Sequence, residues 1–157
     1  AGITRIGNHN WVMAYVHVAH DCIIGNHCIF ANNASLAGHV NVQDFAILGG
    51  FTGVHQFCRV GAHVITGIAS VIRQDIPPYV TVAGSPAAPH GVNSEGLKRR
   101  GYSVEAISAL KRAYKTLYRS GLGLAEAQSL IAVEAEKQPE LQPLADFLAI
   151  SGRGIIR

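Results

Sequence analysis

The sequence predicts a β-solenoid of short parallel coils followed by a small α-helical region. Three observations predict it: a six-residue period from Ile6 to Ile72, a break in composition at Pro77-Pro78, and helical spacing of apolar residues after residue 103. Hydrophobic residues are 48% of the 157 and charged ones only 15%, a balance that argues against disorder. No apolar run nears the roughly 18 residues of a membrane helix, and no secretory leader is read at the start. Three cysteines are an odd number, so a disulfide framework is not expected and a reducing, cytoplasmic setting is.

The coils come first. Written in sixes from Ile6, the first position is large and apolar eleven times in twelve, with Thr66 the exception. The second position is Gly or Ala in eight of the twelve, and the fifth is mostly small or β-branched. Six residues match neither the 3.6-residue helix nor the two-residue strand alternation. They match one flat side of a triangular coil, with eighteen residues to the turn. First-position residues should point inward and stack on their equivalents eighteen away, about 4.8 Å along the axis. The small second-position residue should let the chain bend at a corner or approach its neighbour closely. Cys22, Cys28 and Cys58 all fall at the fifth position, which predicts buried filler rather than thiolate ligands.

The same register sorts the histidines, seven of which precede residue 64. His9, His27 and His63 share one column with Phe45 and read as surface or corner residues. His20, Gly38 and Gln56 form another column, and Asp21, His39 and Phe57 the adjacent one, with His17 and His55 close by. This polar cluster brings together an imidazole that titrates near neutrality, a carboxylate and a glycine N–H able to face a developing oxyanion. Satisfied surface histidines are the other reading. A metal is not expected. A resemblance to the zinc-binding carbonic anhydrases of β-helix fold would require two His 36 residues apart and a third about five further; His27 and His63 meet the first interval, but Ile68 takes the third place. From His17 or His20 the same interval reaches Gly53 or Gln56.

After residue 80 the pattern changes. Residues 81–102, rich in Gly and Pro, are expected to be a connecting loop. Ser103 should cap a helix running to about Arg119, with Ile107, Leu110, Ala113, Tyr114 and Leu117 as its apolar face and Gly121 just past its end. A second helix is expected from about Leu124 to Lys137 and a third from Glu140 to Ile150, so 103–157 forms a three-helix region. Seven cations crowd Lys98 to Arg119, either as a solvated face or as a dock for an acidic or phosphorylated partner.

The motifs HVAHDCIIGNHCIFANNASLAGHV, GGFTGVHQFCRVGAHV, DIPPYV and GVNSEGLKRRG resemble the UDP-N-acetylglucosamine O-acyltransferases of lipid A biosynthesis, over nearly the whole chain. The resemblance implies a left-handed parallel β-helix over 1–80 and a nucleotide-binding motif within 81–102. It implies transfer of a 3-hydroxyacyl group from acyl carrier protein to the sugar 3-hydroxyl, with no bound cofactor, since the donor rides on the carrier's phosphopantetheine. His20 would be the general base, Asp21 its orienting partner or a sugar ligand, and Gly38 the oxyanion donor. His17, His39, His55 and Gln56 would hold substrate, and Asn93, Glu95, Arg99 and Arg100 would lie at the nucleotide and phosphates. The site would form between subunits of a homotrimer, with neither nucleic acid nor a membrane span involved. Family members have more coils before the point where this chain starts, so a fragment impaired on its own is expected. Ile68, one rung above Gly50, stands where long-chain members carry a small residue, which implies a shorter acyl group. Acetyl transfer from coenzyme A and a non-catalytic scaffold remain as alternatives.

Overall fold

The computed structural model describes residues 2–150 and 152–157. Twelve two-residue strands, β1 to β12, recur every six residues from Arg5–Ile6 to Val71–Ile72. Each ends on a first-position residue. Strands pair in parallel with those eighteen residues away, for example Arg5 with Ile23 and Ile29 with Ile47, and so build three faces. The first face holds the strands that begin at Arg5, Ile23, Asn41 and Arg59. The second begins at Trp11 and the third at His17.

First-position side chains fill the interior: Phe30, Leu36, Leu48, Val60 and Ile72 are wholly buried. Ile6 and Val12, at the end of the stack, are about half exposed. Thr66 joins the interior by pairing its hydroxyl with that of Thr52 at 2.7 Å and accepting from the Gly49 N–H at 3.0 Å. The three cysteines are free and buried as expected, and burial pushes the thiols of Cys28 and Cys58 up to about 11.

The bend at each corner belongs to the fourth position, not to the small second-position residue. Every fourth-position residue from His9 to Ala69 has φ between 55° and 65°, in the left-handed region, and none is glycine. This conformation costs about 1 kcal/mol for an ordinary residue. It aims the N–H at a carbonyl of the coil below, as His39 N–H does to His20 O at 3.0 Å and Phe57 N–H to Gly38 O at 3.1 Å. An unpaired buried N–H would cost more than the strain. Second-position glycines serve close approach instead: a Cβ on Gly61 would strike the Pro78 backbone, and one on Gly49 the Thr66 carbonyl at 2.6 Å.

Corner side chains therefore stack in columns. His9, His27, Phe45, His63 and Tyr79 form a ladder of near-parallel rings 4.9–5.5 Å apart at the first corner. His63 is buried rather than superficial, because Arg100 (3.3 Å to Nδ1) and Tyr102 (3.3 Å to Nε2) close over it. Burial, then the Arg100 charge, lowers its pKa to about 4.

The segment expected as a connecting loop is structured. Strand β13 (Val80–Gly84) extends the second face beside β11 (Ile65–Thr66), and β14 (Ala87–Val92) returns antiparallel to it. Helix α1 (Ser94–Arg99) follows, then α2 (Val104–Tyr118), α3 (Leu124–Ala135), a 3₁₀ turn at Pro139–Leu141 and α4 (Gln142–Ala149). Ser103 caps α2, accepting from Ala106 N–H at 3.0 Å, and the expected apolar face is buried. The tail is stapled back to the coils. Arg59 Nε donates to Asp75 Oδ2 at 2.8 Å, and Arg59 also reaches the carbonyls of Phe147 and Ile150. Asp75 is fully buried, and its backbone pairs with Gly154 and Ile156.

Candidate active site

The third corner, between the third and first faces, gathers the predicted cluster. His20 is the last residue before the bend, and Asp21 makes it. His20 Nδ1 lies 2.9 Å from Asp21 Oδ2, which leaves the other ring nitrogen, Nε2, free. The His20 side chain is 72% exposed and that of Asp21 only 18%. The bond to His20, then the Gly2 N–H at 2.5 Å, holds the Asp21 carboxyl below its usual range, so Asp21 is ionised at neutral pH. His39 stands one coil above Asp21, with Nε2 3.8 Å from Asp21 Oδ2, and its ring stacks on Phe57 at 4.6 Å.

Gly38 lies directly against the His20 ring. A Cβ there would sit 2.7 Å from both Cε1 and Nε2, so only glycine leaves room for the imidazole. In equivalent positions the N–H groups of Asn8 and Asn26 are taken by side-chain oxygens of the next coil, and that of Ala62 by Gln43 Oε1 of the preceding one. The Gly38 N–H has no protein acceptor among the described residues. Gln56 completes the column, exposed, with its carbonyl facing His55 Nδ1 at 3.2 Å and Arg153 Nη1 at 3.4 Å.

His17 and His55 project from the third face into an open groove floored by Gly53, Val54 and Ile72. Arg73 lines it too, one coil past His55 in the same column, and eighteen-residue spacing alone would have found it. Arg153 comes from the C-terminal tail, and no local signal marked it.

The remaining predicted residues occupy other corners. Asn93 is buried at the first corner, where Nδ2 donates to His63 O at 3.0 Å and Oδ1 accepts from Gly96 N–H as the cap of α1. Arg100 spends its guanidinium on His63, the Phe45 carbonyl and the Phe45 ring. Glu95 and Arg99 are exposed there, with Glu95 3.6 Å from Lys98. Ile68, 75% exposed, lies at the second corner above Gly50, its Cγ1 3.9 Å from where a Gly50 Cβ would be. One chain thus divides the predicted residues among three corners. Among the described residues no helix is long and apolar enough to cross a membrane.

Comparison with known proteins follows the same division. The profile described as UDP N-acetylglucosamine O-acyltransferase, domain 2, matches residues 75–156, and the bacterial transferase hexapeptide profile matches 3–38. An acyl-[acyl-carrier-protein]--UDP-N-acetylglucosamine O-acyltransferase of Thiobacillus denitrificans is 70% identical over 99% of this chain and 60% of its own length. One from a Janthinobacterium is 59% identical over 99% of the chain and 61% of its own. The solved UDP-N-acetylglucosamine acyltransferase of Francisella novicida superposes with a TM-score of 0.96 at 45% identity, covering 98% of this chain and 56% of that one. The Arabidopsis enzyme superposes at 0.89 with 38% identity, over 97% and 56%. The chain therefore spans about 60% of the length of the curated relatives it matches. The coil is the left-handed parallel β-helix of these neighbours. With a matching profile across its C-terminal half and hexapeptide repeats before it, the chain belongs to the UDP-N-acetylglucosamine O-acyltransferase family.

Proposed function

We propose that the protein transfers a 3-hydroxyacyl group from acyl carrier protein to the 3-hydroxyl of UDP-N-acetylglucosamine, the opening step of lipid A biosynthesis, in the cytoplasm. The observation that carries this reading is the placement of His20, with Nδ1 held by Asp21 and Nε2 against a glycine whose N–H is unclaimed. The ionised Asp21 keeps the ring proton on Nδ1, so Nε2 presents a lone pair. Nε2 takes the proton of the sugar hydroxyl as its oxygen attacks the thioester carbonyl. The Gly38 N–H stabilises the resulting oxyanion. Collapse expels the phosphopantetheine thiolate, which recovers the proton from His20. No redox partner is needed.

His39 and Gln56 border the acceptor sugar, and His17, His55 and Arg73 face the groove that receives donor or phosphate groups. Glu95 and Arg99 meet the nucleotide, while Asn93 and Arg100 hold the loop that presents them. The division of these residues among three corners favours a homotrimer, in which the third corner of one subunit faces the first corner of its neighbour. Relatives up to 70% identical bear the name of this reaction.

The test is acyl transfer by the natural protein and its His20→Ala variant. Loss of about 10³-fold in kcat with the oligomer intact is the expected result. Retention of a tenth of wild-type activity would overturn the assignment. Supplying acyl-coenzyme A in a parallel arm separates a carrier-protein enzyme from an acetyltransferase, and transfer from neither donor identifies a scaffold.

A further inference from the structure

At the third corner a carboxylate oxygen stands between two imidazole nitrogens. Asp21 Oδ2 is 2.9 Å from His20 Nδ1 and 3.8 Å from His39 Nε2. All three donor atoms lie within 4.8 Å of one another, and no other group of three His, Cys, Asp or Glu does so among the described residues. Ligands about 2.0–2.1 Å from a tetrahedral Zn²⁺ are roughly 3.3 Å apart, and the two shorter separations straddle that value. Two of the donors are fixed before any ion arrives. Asp21 sits on a backbone bend, the His39 ring is stacked on Phe57, and the His39 backbone N–H bonds to His20 O. Only the exposed His20 must rotate, and its exposure leaves the fourth coordination position open to water.

We propose that His20, Asp21 and His39 form a binding site for a divalent transition metal, Zn²⁺ foremost, whose occupancy switches off the base. Two imidazoles and one carboxylate suit Zn²⁺, Co²⁺ or Ni²⁺ and not the oxygen-seeking Mg²⁺ or Ca²⁺. The switch follows from proton bookkeeping on one ring. In the metal-free site the single proton of neutral His20 sits on Nδ1 and bonds to Asp21, so Nε2 is the free base. A metal on Nδ1 takes that lone pair and sends the proton to Nε2, and no proton is gained or lost. The nitrogen facing Gly38 then has nothing with which to accept the sugar proton. The inhibitory consequence rests on the acyl-transfer reading, whereas the site itself rests on geometry alone.

The test separates the two. Co²⁺ is titrated into the protein and followed by its visible ligand-field absorption, and Zn²⁺ is measured by competition with a chromophoric chelator. One equivalent per chain with a micromolar Kd is expected. Asp21→Asn and His39→Gln should each weaken binding tenfold or more, with unchanged circular dichroism, while His9→Ala should leave it unaltered. Binding weaker than about 1 mM, or equal affinity in the Asp21 and His39 variants, overturns the site and leaves the acyl-transfer reading intact. In the activity arm, transfer should fall as the site fills and return on adding EDTA. Stoichiometric binding with undiminished turnover would overturn the switch.

Discussion

The substitution Gly38→Ala isolates the placement of the base. An added methyl would lie 2.7 Å from Cε1 and Nε2 of His20 and 3.3 Å from Cδ2. An ordinary carbon contact is about 3.5 Å, so the ring must retreat by about 0.8 Å. Gly38 does not occupy the left-handed region, so alanine adds no backbone strain there. His20 is mostly exposed and can swing outward at little cost to the fold. The N–H of residue 38 survives the change, so the proposed oxyanion donor is kept while the proposed base is displaced. A misplacement near 1 Å costs about 10²-fold in rate. Steady-state transfer at saturating donor should therefore show kcat down about 10²-fold, with KM little altered and the melting temperature within a few degrees of wild type. A kcat within threefold of wild type would refute the contact, and a collapse of the melting temperature would refute the claim that His20 is free to move.

Other expectations follow from the same geometry. His63 is held neutral, with a pKa lowered to about 4 from 6.5, so the unfolded chain binds the extra proton as pH falls through that window. Its contribution to stability is complete above pH 6.5 and is lost progressively towards pH 4, by about 1 kcal/mol after allowance for solvent screening. Urea unfolding at pH 7.5 and 4.5 should show that increment in wild type and not in His63→Phe; an identical pH slope in both would rule it out. Asp75→Asn strands the Arg59 guanidinium in a buried pair and should cost about 3 kcal/mol, with the 152–157 tail becoming open to proteolysis. A cost under 1 kcal/mol would mean the staple is dispensable. Ile68→Gly should favour longer acyl donors, by about tenfold or more in kcat/KM relative to the shorter ones, and an unmoved preference would refute Ile68 as the stop on acyl length.

The coils were legible because their signal is local and repeated. Each first-position residue from Ile24 to Ile72 is inside, and eighteen-residue spacing alone puts Gly38 beside His20. The Ser103 cap was likewise readable from a few neighbouring residues. What escaped depends on distant partners. His63 is buried by Arg100 and Tyr102, 37 and 39 residues away, and no column spacing reports them. The Arg59–Asp75 staple needs the tail to return across 91 residues of chain to Ile150. Residues 81–92, within the segment expected as a loop, hide an antiparallel pair behind their Gly and Pro, and that pair gains its support from Ile65–Thr66. The left-handed corners carry no glycine to mark them: His stands at four of the eleven, Phe at three, and Tyr, Asp, Asn and Ala at one each. What imposes that geometry is the carbonyl of the coil below.

A solenoid whose columns repeat every eighteen residues behaves as a ruled scale. Moving a bulky side chain from one rung to the next shifts it along the axis by one pitch, about 4.8 Å, without altering any other wall of the groove. A barrier at Ile68 and one at Gly50 would differ by that single increment. On the proposed acyl-transfer reading, length selection would advance in discrete steps of about one pitch, 4.8 Å, and a single exchange of residue identity would take one.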